Sequence, residues 1–548
     1  MNKKYHIQTY GCQMNVSDTE LVETFLKEQG HYAVEKPDEA DILFVNTCSI
    51  REHAEDKVHS LLGRYNLLKR KNPSMIIGVL GCMAQSMKHD ILENKPYVDV
   101  VLGPDSYRRL PEILSRHEFD HKSAVDTVLS KHEVYDDLFP SRKDGVNAWV
   151  TIMRGCDKFC TFCIVPFTRG RERSRSIEGI INEAKNAVSQ GYSEITLLGQ
   201  NVNSYSHENS KFPELLDAVA QVEGIQRIRY TSPHPQDVNQ ELLDVMYERD
   251  NICNYIHLPL QSGSNKILKR MNRTYTREHF IKLSNKIRNT LPGVGISTDI
   301  IVGFPGETEQ DFNDTINLMN EVCFDSAFTF KYSPRKGTKA TEYDDHLHEK
   351  IKQERLAQVI ELQKQHTALR NEKFVGNIEN ILIEKTSKRN KNKWAGRTDS
   401  NKWVVFDKLD FKVNDMVPVL ITKSKGITLY GEISKKSEGR LMHLIKIFLL
   451  IIFNLIIIVF MTQNSNEKID IFFFNYSLND AFLNVVLLFN LLFGVAAGFL
   501  SAVFIIISNK SQIKSLQNKN RILTDELNDL RNVAIDEGIY DNVEGEDY

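Results

Sequence analysis

Residues 154–175 read RGCDKFCTFCIVPFTRGRERSR, and the three cysteines in this segment decide how the middle of the chain is interpreted. Their spacing is C-x3-C-x2-C, at Cys156, Cys160 and Cys163. Structural zinc sites are closed by four protein ligands, so three local thiols without a fourth fit zinc poorly. Iron–sulfur clusters are usually held by four thiolates, so three would leave one iron of a 4Fe-4S cluster able to bind another ligand. The spacing alone does not identify that ligand.

The cysteine segment follows the first of six predicted β-strands. The strands alternate with amphipathic helical stretches and read AWVTIM, EITLLG, RIRYTS, YIHLPL, ISTDIIVG and AFTFKYS. This alternation over residues 142–375 predicts a partial (β/α)6 barrel, in which functional side chains gather at the carboxyl ends of the strands. Polar turn segments follow the next four strands and read GQNVNSY, SPHP, QSGSN and GFPGE. The sequence therefore predicts one site at the mouth of the barrel.

Residues 1–120 show a second alternation of strands and helices and predict an open parallel α/β sheet. Three apolar runs end in a cysteine: HIQTYGC at Cys12, DILFVNTC at Cys48 and MIIGVLGC at Cys82. Because ligands bind at the carboxyl ends of parallel strands, these thiols are expected to converge on one edge of the sheet. The alternative is three separate core cysteines, since free cysteine is often buried. The shared position after three strands favours convergence.

The composition excludes several classes of protein. The chain has 548 residues, of which 26% are charged and 41% hydrophobic, and it is predicted to form several globular domains. Eight cysteines in so long a chain do not make a disulfide scaffold. The first residues, MNKKYHIQTYG, contain no apolar run that could serve as a signal peptide. These features place the first 440 residues in a reducing cytoplasm.

Residues 376–440 predict a small β-barrel with an excess of positive charge. The formal net charge of the whole chain is −3, whereas residues 381–440 contain 14 Lys plus Arg against 7 Asp plus Glu, an excess of +7. Such an excess indicates a nucleic-acid partner, and Trp394 and Trp403 could add stacking surfaces for bases. Solvated surface lysines explain the charge equally well.

Residues 441–548 differ in composition from the rest of the chain. Leu444–Met461 and Val485–Ile507 are almost wholly apolar, and they predict a transmembrane helical hairpin with both ends in the cytosol. A short coiled coil is predicted after the hairpin, and the acidic C-terminal residues are expected to be disordered. The coiled-coil positions are Ile513, Leu516, Asn520, Leu523, Leu527 and Leu530.

The C-x3-C-x2-C spacing after the first barrel strand resembles the signature of the radical S-adenosylmethionine (SAM) enzymes. In that family, three cysteines hold a [4Fe-4S] cluster whose open iron binds SAM. The resemblance implies that Cys156, Cys160 and Cys163 hold this cluster, with no further catalytic side chain assigned. It also implies SAM contacts from the segments LLGQNVNSY, QSGS and GISTDIIVGFPGE, although tight turns explain the glycines equally well. The implied contact residues are Gly199, Gln200, Gln261, Ser262, Asp299 and Gly303.

The order of a three-cysteine α/β domain, a radical barrel and a small basic barrel resembles the methylthiotransferases. This resemblance implies that Cys12, Cys48 and Cys82 hold a second [4Fe-4S] cluster. YGCQMNVSDTE, NTCSIREHAEDKV and HLPLQSGSNKILKRMNR are similar to the branch of the family that acts on tRNA. The implied activity is methylthiolation of carbon 2 of N(6)-isopentenyladenosine at position 37, with a TRAM domain gripping the tRNA. An electron donor is also implied, and the catalytic part is expected to be monomeric.

Other interpretations remain open from the sequence. The same chemistry could act on threonylcarbamoyladenosine or on an aspartate of a ribosomal protein, and the chain could instead be a membrane-anchored iron–sulfur electron carrier. The C-terminal segment resembles the lipopolysaccharide assembly protein A-like membrane family, and it is either a membrane tether or the product of two joined reading frames. Arginines 169, 171, 173 and 175 could contact RNA phosphates or a cofactor, or they could form a solvated connector.

Overall fold

The chain folds into two units, residues 1–434 and 435–548. The computed structural model describes residues 2–48, 52–143, 145–434, 436–474 and 476–494. The second predicted membrane segment lies partly outside the described residues, and the predicted coiled coil and acidic tail lie wholly outside them. The predicted division into domains at residues 120, 142, 376 and 440 stays a prediction.

The N-terminal region is a six-stranded parallel sheet in the order β2-β1-β3-β4-β5-β6, as predicted. Apolar clusters cover both faces of the sheet. Every residue of β3 and β4 is buried, which is why these strands read as continuous apolar runs. The elements are β1 (Lys4–Thr9), α1 (Gln13–Glu28), β2 (Tyr32–Ala33), β3 (Ile42–Thr47), α2 (Glu52–Lys71), β4 (Ile76–Gly81), α3 (Cys82–Met87), α4 (His89–Asn94), β5 (Val100–Leu102), α5 (Leu110–Asp120) and β6 (Ala124–Asp126).

The central region contains the six predicted barrel strands, β7, β10, β13, β14, β15 and β16, in two parallel sheets ordered β13-β10-β7 and β14-β15-β16. A parallel bridge between Ile228 and Ile252 connects the sheets. The elements are β7 (Asn147–Thr151), β8 (Met153–Arg154), α6 (Val165–Arg169), β9 (Arg173–Ser174), α7 (Ile177–Ser189), β10 (Glu194–Leu198), β11 (Ser206–His207), β12 (Ser210–Lys211), α8 (Phe212–Ala220), β13 (Arg227–Tyr230), α9 (Gln240–Glu248), β14 (Tyr255–His257), α10 (Asn265–Arg270), α11 (Arg277–Thr290), β15 (Gly295–Val302), α12 (Glu309–Val322), β16 (Ser326–Lys331) and α13 (Glu349–Glu372).

A closed five-stranded barrel follows α13, in the order β17-β18-β19-β21-β20. Its alternating strands direct apolar side chains to a small core. The predicted small β-barrel is confirmed. The strands are β17 (Ile378–Thr386), β18 (Lys393–Arg397), β19 (Trp403–Asp407), β20 (Met416–Lys425) and β21 (Thr428–Ile433).

The second unit contains α14 (Lys436–Gln463) and an antiparallel pair of strands, β22 (Lys468–Phe473) and β23 (Tyr476–Phe482). Counting only the described residues, no helix is both long enough and apolar enough to cross a membrane. The predicted transmembrane helical hairpin is therefore not supported. The residues between the two predicted spans pair as β22 and β23.

Candidate active site with two groups of three thiols

Three half-buried thiols, those of Cys156, Cys160 and Cys163, lie in the loop between β8 and α6. The Cys156 amide donates to the Gly170 carbonyl (3.2 Å) and the Cys163 amide to the Cys160 carbonyl (2.9 Å), so the backbone itself shapes the loop. Burial raises the pKa of Cys156 to about 11 and that of Cys163 to about 12, and the neighbouring Cys160 adds to both shifts. A bound metal would reverse these shifts, since a metal-coordinated thiol is deprotonated.

Arg273, from the turn between α10 and α11, contacts the same loop. Its Nη1 donates to Cys160 Sγ at 3.2 Å, and its Nε donates to Tyr275 Oη at 2.9 Å. A guanidinium beside a thiolate stabilises the negative charge on sulfur. Arg273 is therefore a candidate functional residue that the sequence analysis did not identify, because no local pattern separates it from the other basic residues of KRMNR.

The second group of thiols lies at the edge of the N-terminal sheet. Cys12 precedes α1, Cys48 follows β3 and Cys82 begins α3, and the three strands before them are neighbours in the sheet. A hydrogen bond with Cys48 lowers the pKa of Cys12 to about 6, and the positive charge of Arg169 acts in the same direction. Burial raises the pKa of Cys82, which Arg169 opposes. Cys12 thus lies beside Cys48, since a Cβ on the preceding Gly11 would lie 2.8 Å from Cys48 Cβ, and the convergence of all three thiols stays a prediction.

Two buried asparagines, Asn15 and Asn46, support this second group. Asn15 Nδ2 donates to Asn46 Oδ1 (3.2 Å), and Asn46 Nδ2 donates to the Asn15 carbonyl (2.9 Å). Asn15 Oδ1 also accepts from the Cys12 amide (3.4 Å). This network ties the chain after β1 to the end of β3, so it holds Cys12 near Cys48. A lone asparagine in each segment gave no signal of this pairing.

Glycines with positive φ precede cysteines in both groups. Gly81 has φ 85° and Gly155 has φ 82°, a region that is strained for residues with a Cβ. A Cβ on Gly81 would lie 3.0 Å from the Thr47 carbonyl oxygen, and one on Gly155 would collide with the backbone of Arg171. A side chain at either position would therefore displace the following cysteine.

The chemistry of both groups fits iron–sulfur ligation. Each group offers three sulfur donors, and thiolates are the ligands that such clusters take. All eight cysteines lie in the described part of the chain, and none forms a disulfide. Across the described residues, no three Cys, His, Asp or Glu side chains already stand in the geometry of a metal site. The six cysteines as ligands therefore stay a prediction.

Two predicted SAM contacts lie beside the first thiol group. Gln200 Oε1 accepts from the Gly155 amide at 2.6 Å, directly before Cys156. Gly199 follows β10, and a Cβ there would lie 2.6 Å from Met153 Cγ. The missing side chain at Gly199 thus allows β10 to approach β8, which carries the chain into the cysteine loop.

The other four predicted SAM contacts differ in their surroundings. Gln261 has φ 71°, and its amide donates to the Asp299 carbonyl at 2.8 Å. The Asp299 carboxylate lies 3.3 Å from His257 Nε2. Ser262 is fully buried with its Oγ 3.4 Å from Thr315 Oγ1, and Gly303 packs on Lys352. The structure does not test SAM contact for any of the four.

The arginines after the cysteine loop are not a solvated connector, and three of them are not available to RNA. Arg169, Arg173 and Arg175 are buried and paired with carboxylates from earlier in the chain. Only Arg171 is exposed, and it pairs with Asp157 at 2.6 Å. The buried pairs, with Arg154 included, are Arg154–Asp18 (2.8 Å), Arg169–Asp18 (2.7 Å), Arg173–Asp105 (2.9 Å) and Arg175–Asp136 (2.9 Å). These pairs join the N-terminal sheet region to the barrel.

Glu20 on α1 lies near this junction and makes it sensitive to pH. Burial raises the pKa of Glu20 to about 7, and Oε2 has no hydrogen-bond partner among the described residues. The folded chain therefore holds a proton that the unfolded chain releases above its pKa of 4.5. Stability should fall by roughly 2–3 kcal/mol as the pH rises from about 4.5 to about 7.

Glu20→Gln should therefore raise the urea midpoint of unfolding at pH 8 and leave it nearly unchanged at pH 5. Gln resembles the protonated acid and pays no cost of ionisation. Glu28→Gln, at an exposed position on the same helix, is the matched control. Equal midpoints for Glu20→Gln and the unaltered chain at pH 8 would contradict this reading of Glu20.

The small barrel is attached at the amino ends of the central strands. Glu194, the first residue of β10, is fully buried and accepts from Arg229 Nε (3.0 Å) and from Arg397 Nη2 (2.9 Å) of the small barrel. Arg227, the first residue of β13, donates to the Asn380 carbonyl at 2.6 Å. The cysteine loop follows the carboxyl end of β7, so the small barrel lies at the opposite end of the strands.

The predicted stacking surface on the small barrel is only partly correct. Trp394 is 6% exposed and packs in the barrel core, so it cannot stack on a base. Trp403 is half-buried, with Lys385 Nζ 4.4 Å from its ring. Exposed cations instead occupy the turn between β17 and β18, at Lys388, Arg389 and Lys391.

Three family patterns match successive parts of the chain. They are uncharacterized protein family UPF0004 at residues 4–103, the radical SAM superfamily at residues 150–319 and the TRAM domain at residues 372–434. The fold and the two thiol groups thus define a radical SAM protein with an added α/β region and a TRAM barrel. A radical SAM methyltransferase from Kitasatospora setae has 12% identity and a TM-score of 0.47, with 62% of this chain and 77% of that chain covered.

Two curated relatives are similar over most of their length. The tRNA-2-methylthio-N(6)-dimethylallyladenosine synthase of Phocaeicola vulgatus is 46% identical over 439 residues, which cover 79% of this chain and 96% of the relative. The protein of the same description from Parabacteroides distasonis is 47% identical over 437 residues, with 78% and 95% covered. The chain belongs to the family of tRNA-2-methylthio-N(6)-dimethylallyladenosine synthases.

Proposed function

We propose that the chain is a radical SAM methylthiotransferase that modifies carbon 2 of N(6)-isopentenyladenosine next to the anticodon of tRNA. The observation that carries the proposal is the joining of the two thiol groups through one carboxylate, Asp18, by the arginines that flank the cysteine loop. An electron carrier would need no second group of only three thiols, since four thiolates complete the ligation of a [4Fe-4S] cluster. The relatives' shared description supports tRNA over a ribosomal protein as the substrate.

The chain's own residues would hold two [4Fe-4S] clusters and SAM. Cys156, Cys160 and Cys163 would ligate the cluster that binds SAM, and Cys12, Cys48 and Cys82 would ligate the auxiliary cluster. With an external electron donor, these groups would supply the radical that removes hydrogen, the sulfur that is inserted and, from SAM, the methyl group that the sulfur carries. Arg273 would stabilise the thiolate of Cys160, to which it already donates. Gln200 would fix the backbone before Cys156, since it accepts from the Gly155 amide.

An anaerobic assay with tRNA carrying isopentenyladenosine tests this function. The reconstituted and reduced chain should form the 2-methylthio nucleoside together with 5′-deoxyadenosine. tRNA without the isopentenyl group is the control, and it should yield no methylthio product. Unchanged levels of the methylthio nucleoside in a strain lacking the gene would reject the proposal. Methylthiolation of threonylcarbamoyladenosine instead would support the alternative substrate.

The turn between β17 and β18 should contact tRNA phosphates, because its three cations are exposed and pair with no carboxylate among the described residues. Replacing Lys388, Arg389 and Lys391 together with alanine should weaken tRNA binding and lower the slope of log affinity against log salt by about 2–3. Lys350 and Lys364, also exposed but paired on α13, are the control positions. If the triple variant and the control variant showed the same salt slope, the tRNA would contact a surface other than the turn between β17 and β18.

A further inference from the structure

We propose that Arg169 is a positioning residue for the auxiliary thiols, and that Asp18 fixes it between the two thiol groups. The inference rests on the proposed auxiliary site at Cys12, Cys48 and Cys82. It assigns a role to an arginine of the segment FTRGRERSR that neither RNA binding nor solvation explains.

The Asp18 carboxylate pairs with residues on both sides of the loop that carries the barrel thiols. Arg154 lies two residues before Cys156 and Arg169 six residues after Cys163, and both donate to Asp18, to Oδ1 at 2.8 Å and to Oδ2 at 2.7 Å. Asp18, Arg154 and Arg169 are 0%, 1% and 3% exposed. Removing charges from water is costly unless they are paired with good geometry, so these three side chains have little freedom to move.

The same carboxylate lies on the helix that begins at the auxiliary thiols. Asp18 is on α1, whose first residue follows Cys12. A displacement of α1 relative to the cysteine loop would therefore break two buried ion pairs at once. The contacts that run from Cys12 along α1 to Asp18 and Arg169 therefore connect the two thiol groups.

Arg169 also lies beside the auxiliary thiols, because α6, which ends at Arg169, packs on α3, which begins at Cys82. The ionisable groups that act on its guanidinium are Asp18, Cys82, Cys12 and Tyr107. Its Nη1 is buried and has no hydrogen-bond partner among the described residues. A buried N–H group without an acceptor is costly, so this N–H is suited to donate to a group bound at the auxiliary thiols. Arg154 also has unpartnered nitrogens, but its guanidinium packs on the Tyr135 ring at 4.7 Å.

The charge at this junction fits an anionic group. Two guanidiniums share one carboxylate, which leaves one positive charge in excess in a buried region. A [4Fe-4S] core held by three thiolates has a net negative charge in its usual oxidised state. Arg169 therefore offers both an N–H donor and a compensating charge to the auxiliary sulfur atoms.

The buried pair between Arg173 and Asp105 is the matched control. It is bidentate, at 2.9 and 3.1 Å, and it likewise joins the N-terminal sheet region to the segment after the cysteine loop. Among the described residues, the Arg173 guanidinium donates to Asp105, to the Ser130 carbonyl and to the Arg169 carbonyl, and to no cysteine. A loss of domain packing alone should therefore affect Arg173 and Arg169 variants alike.

The experiment uses the full chain with Cys156, Cys160 and Cys163 replaced by alanine, so that only the auxiliary site can bind a cluster. Arg169→Met, Arg169→Lys and Arg173→Met are introduced separately and reconstituted anaerobically with iron and sulfide. Iron per chain and the reduction potential of the bound cluster are measured, with circular dichroism as the check on folding. Neither tRNA nor turnover is needed.

The Arg169→Met variant should lose at least half of its iron, and the remaining cluster should have a more negative potential because a positive charge and a donor are gone. Arg169→Lys should retain the iron with a smaller shift of the same sign, and Arg173→Met should match the parent. Parental potentials in both Arg169 variants, or equal effects of Arg169→Met and Arg173→Met, would overturn the proposal. If Arg169→Met does not fold, the potential of Arg169→Lys decides.

The outcomes separate this inference from the proposed function. A parent that binds no iron would overturn the auxiliary site and the positioning role together. An unaltered chain that binds iron at both sites but forms no methylthio nucleoside would overturn the proposed function alone, and the cluster potentials would still decide the role of Arg169.

Discussion

Replacing Cys12 with alanine is expected to reduce formation of the methylthio nucleoside to background while 5′-deoxyadenosine is still produced. Cys12 lies before α1, in the group at the edge of the N-terminal sheet, whereas SAM would bind at the loop after β8. Under the proposed function, the substitution would remove one sulfur ligand of the auxiliary cluster, and it leaves all three barrel thiols in place. Both products are measured in one anaerobic reaction by mass spectrometry.

Two further cysteine variants serve as controls for this result. Cys160→Ala should abolish both products, because it would remove one of the three proposed ligands of the cluster that binds SAM. Cys253→Ala should retain both, because Cys253 is a buried core residue that belongs to neither group. Methylthiolation retained by Cys12→Ala would show that Cys12 has no part in sulfur insertion.

Replacing Glu194 with alanine is expected to destabilise the attachment of the TRAM barrel by about 3–5 kcal/mol, since it leaves the buried Arg229 without its ion-pair partner and removes one of the two carboxylates that pair with Arg397, the other being Glu384. Arg229 and Arg397 both donate to this carboxylate, one from the central region and one from the TRAM barrel. Limited proteolysis should cut the variant between α13 and β17, and the urea midpoint of unfolding should fall. tRNA binding should weaken because the barrel no longer has a fixed position.

The same pair of arginines gives this attachment a pH dependence. Burial opposes ionisation of Glu194, but Arg229 and Arg397 outweigh it and lower its pKa. The stabilisation is therefore present at neutral pH and is lost as the pH falls below the ordinary carboxylate range. Glu361→Ala is the control, because Glu361 pairs with Lys364 on the exposed face of α13. A Glu194→Ala chain with the parental midpoint and cleavage pattern would show that the barrel is held by other contacts.

The local patterns correctly predicted the strands and the placement of the six cysteines after the ends of strands. Hydrophobic runs and their turn residues depend on neighbours in sequence, so β7, β10, β13 and the cysteine-terminated strands β1, β3 and β4 were recognisable. The partners of the arginines were not recognisable. Asp18 lies 136 residues from Arg154 and 151 from Arg169, and a lone aspartate on an amphipathic helix gives no sign of such a pair.

Trp394 shows a second limit of the sequence patterns. Successive side chains of a strand point to opposite faces, so a shift of one residue in register exchanges a core position for a surface one. In β18 the pairing of Trp394 with Phe406 directs the indole inward. The basic composition of the segment gave no indication of which side chains face outward.

The position of the TRAM barrel at the amino ends of the strands has a consequence for the size of the RNA. The five residues of β10 alone span about 16 Å between Glu194 and the end that faces the cysteine loop. Under the proposed function, an RNA with its adenosine at the thiols must extend past the whole height of the central strands to touch the barrel. The distance between the thiols and the barrel would thus set the minimum length of RNA that can contact both. We expect the modification of short anticodon hairpins to show the same salt dependence as a chain that lacks the barrel's cations. Only full-length tRNA should show the additional salt dependence that these cations cause.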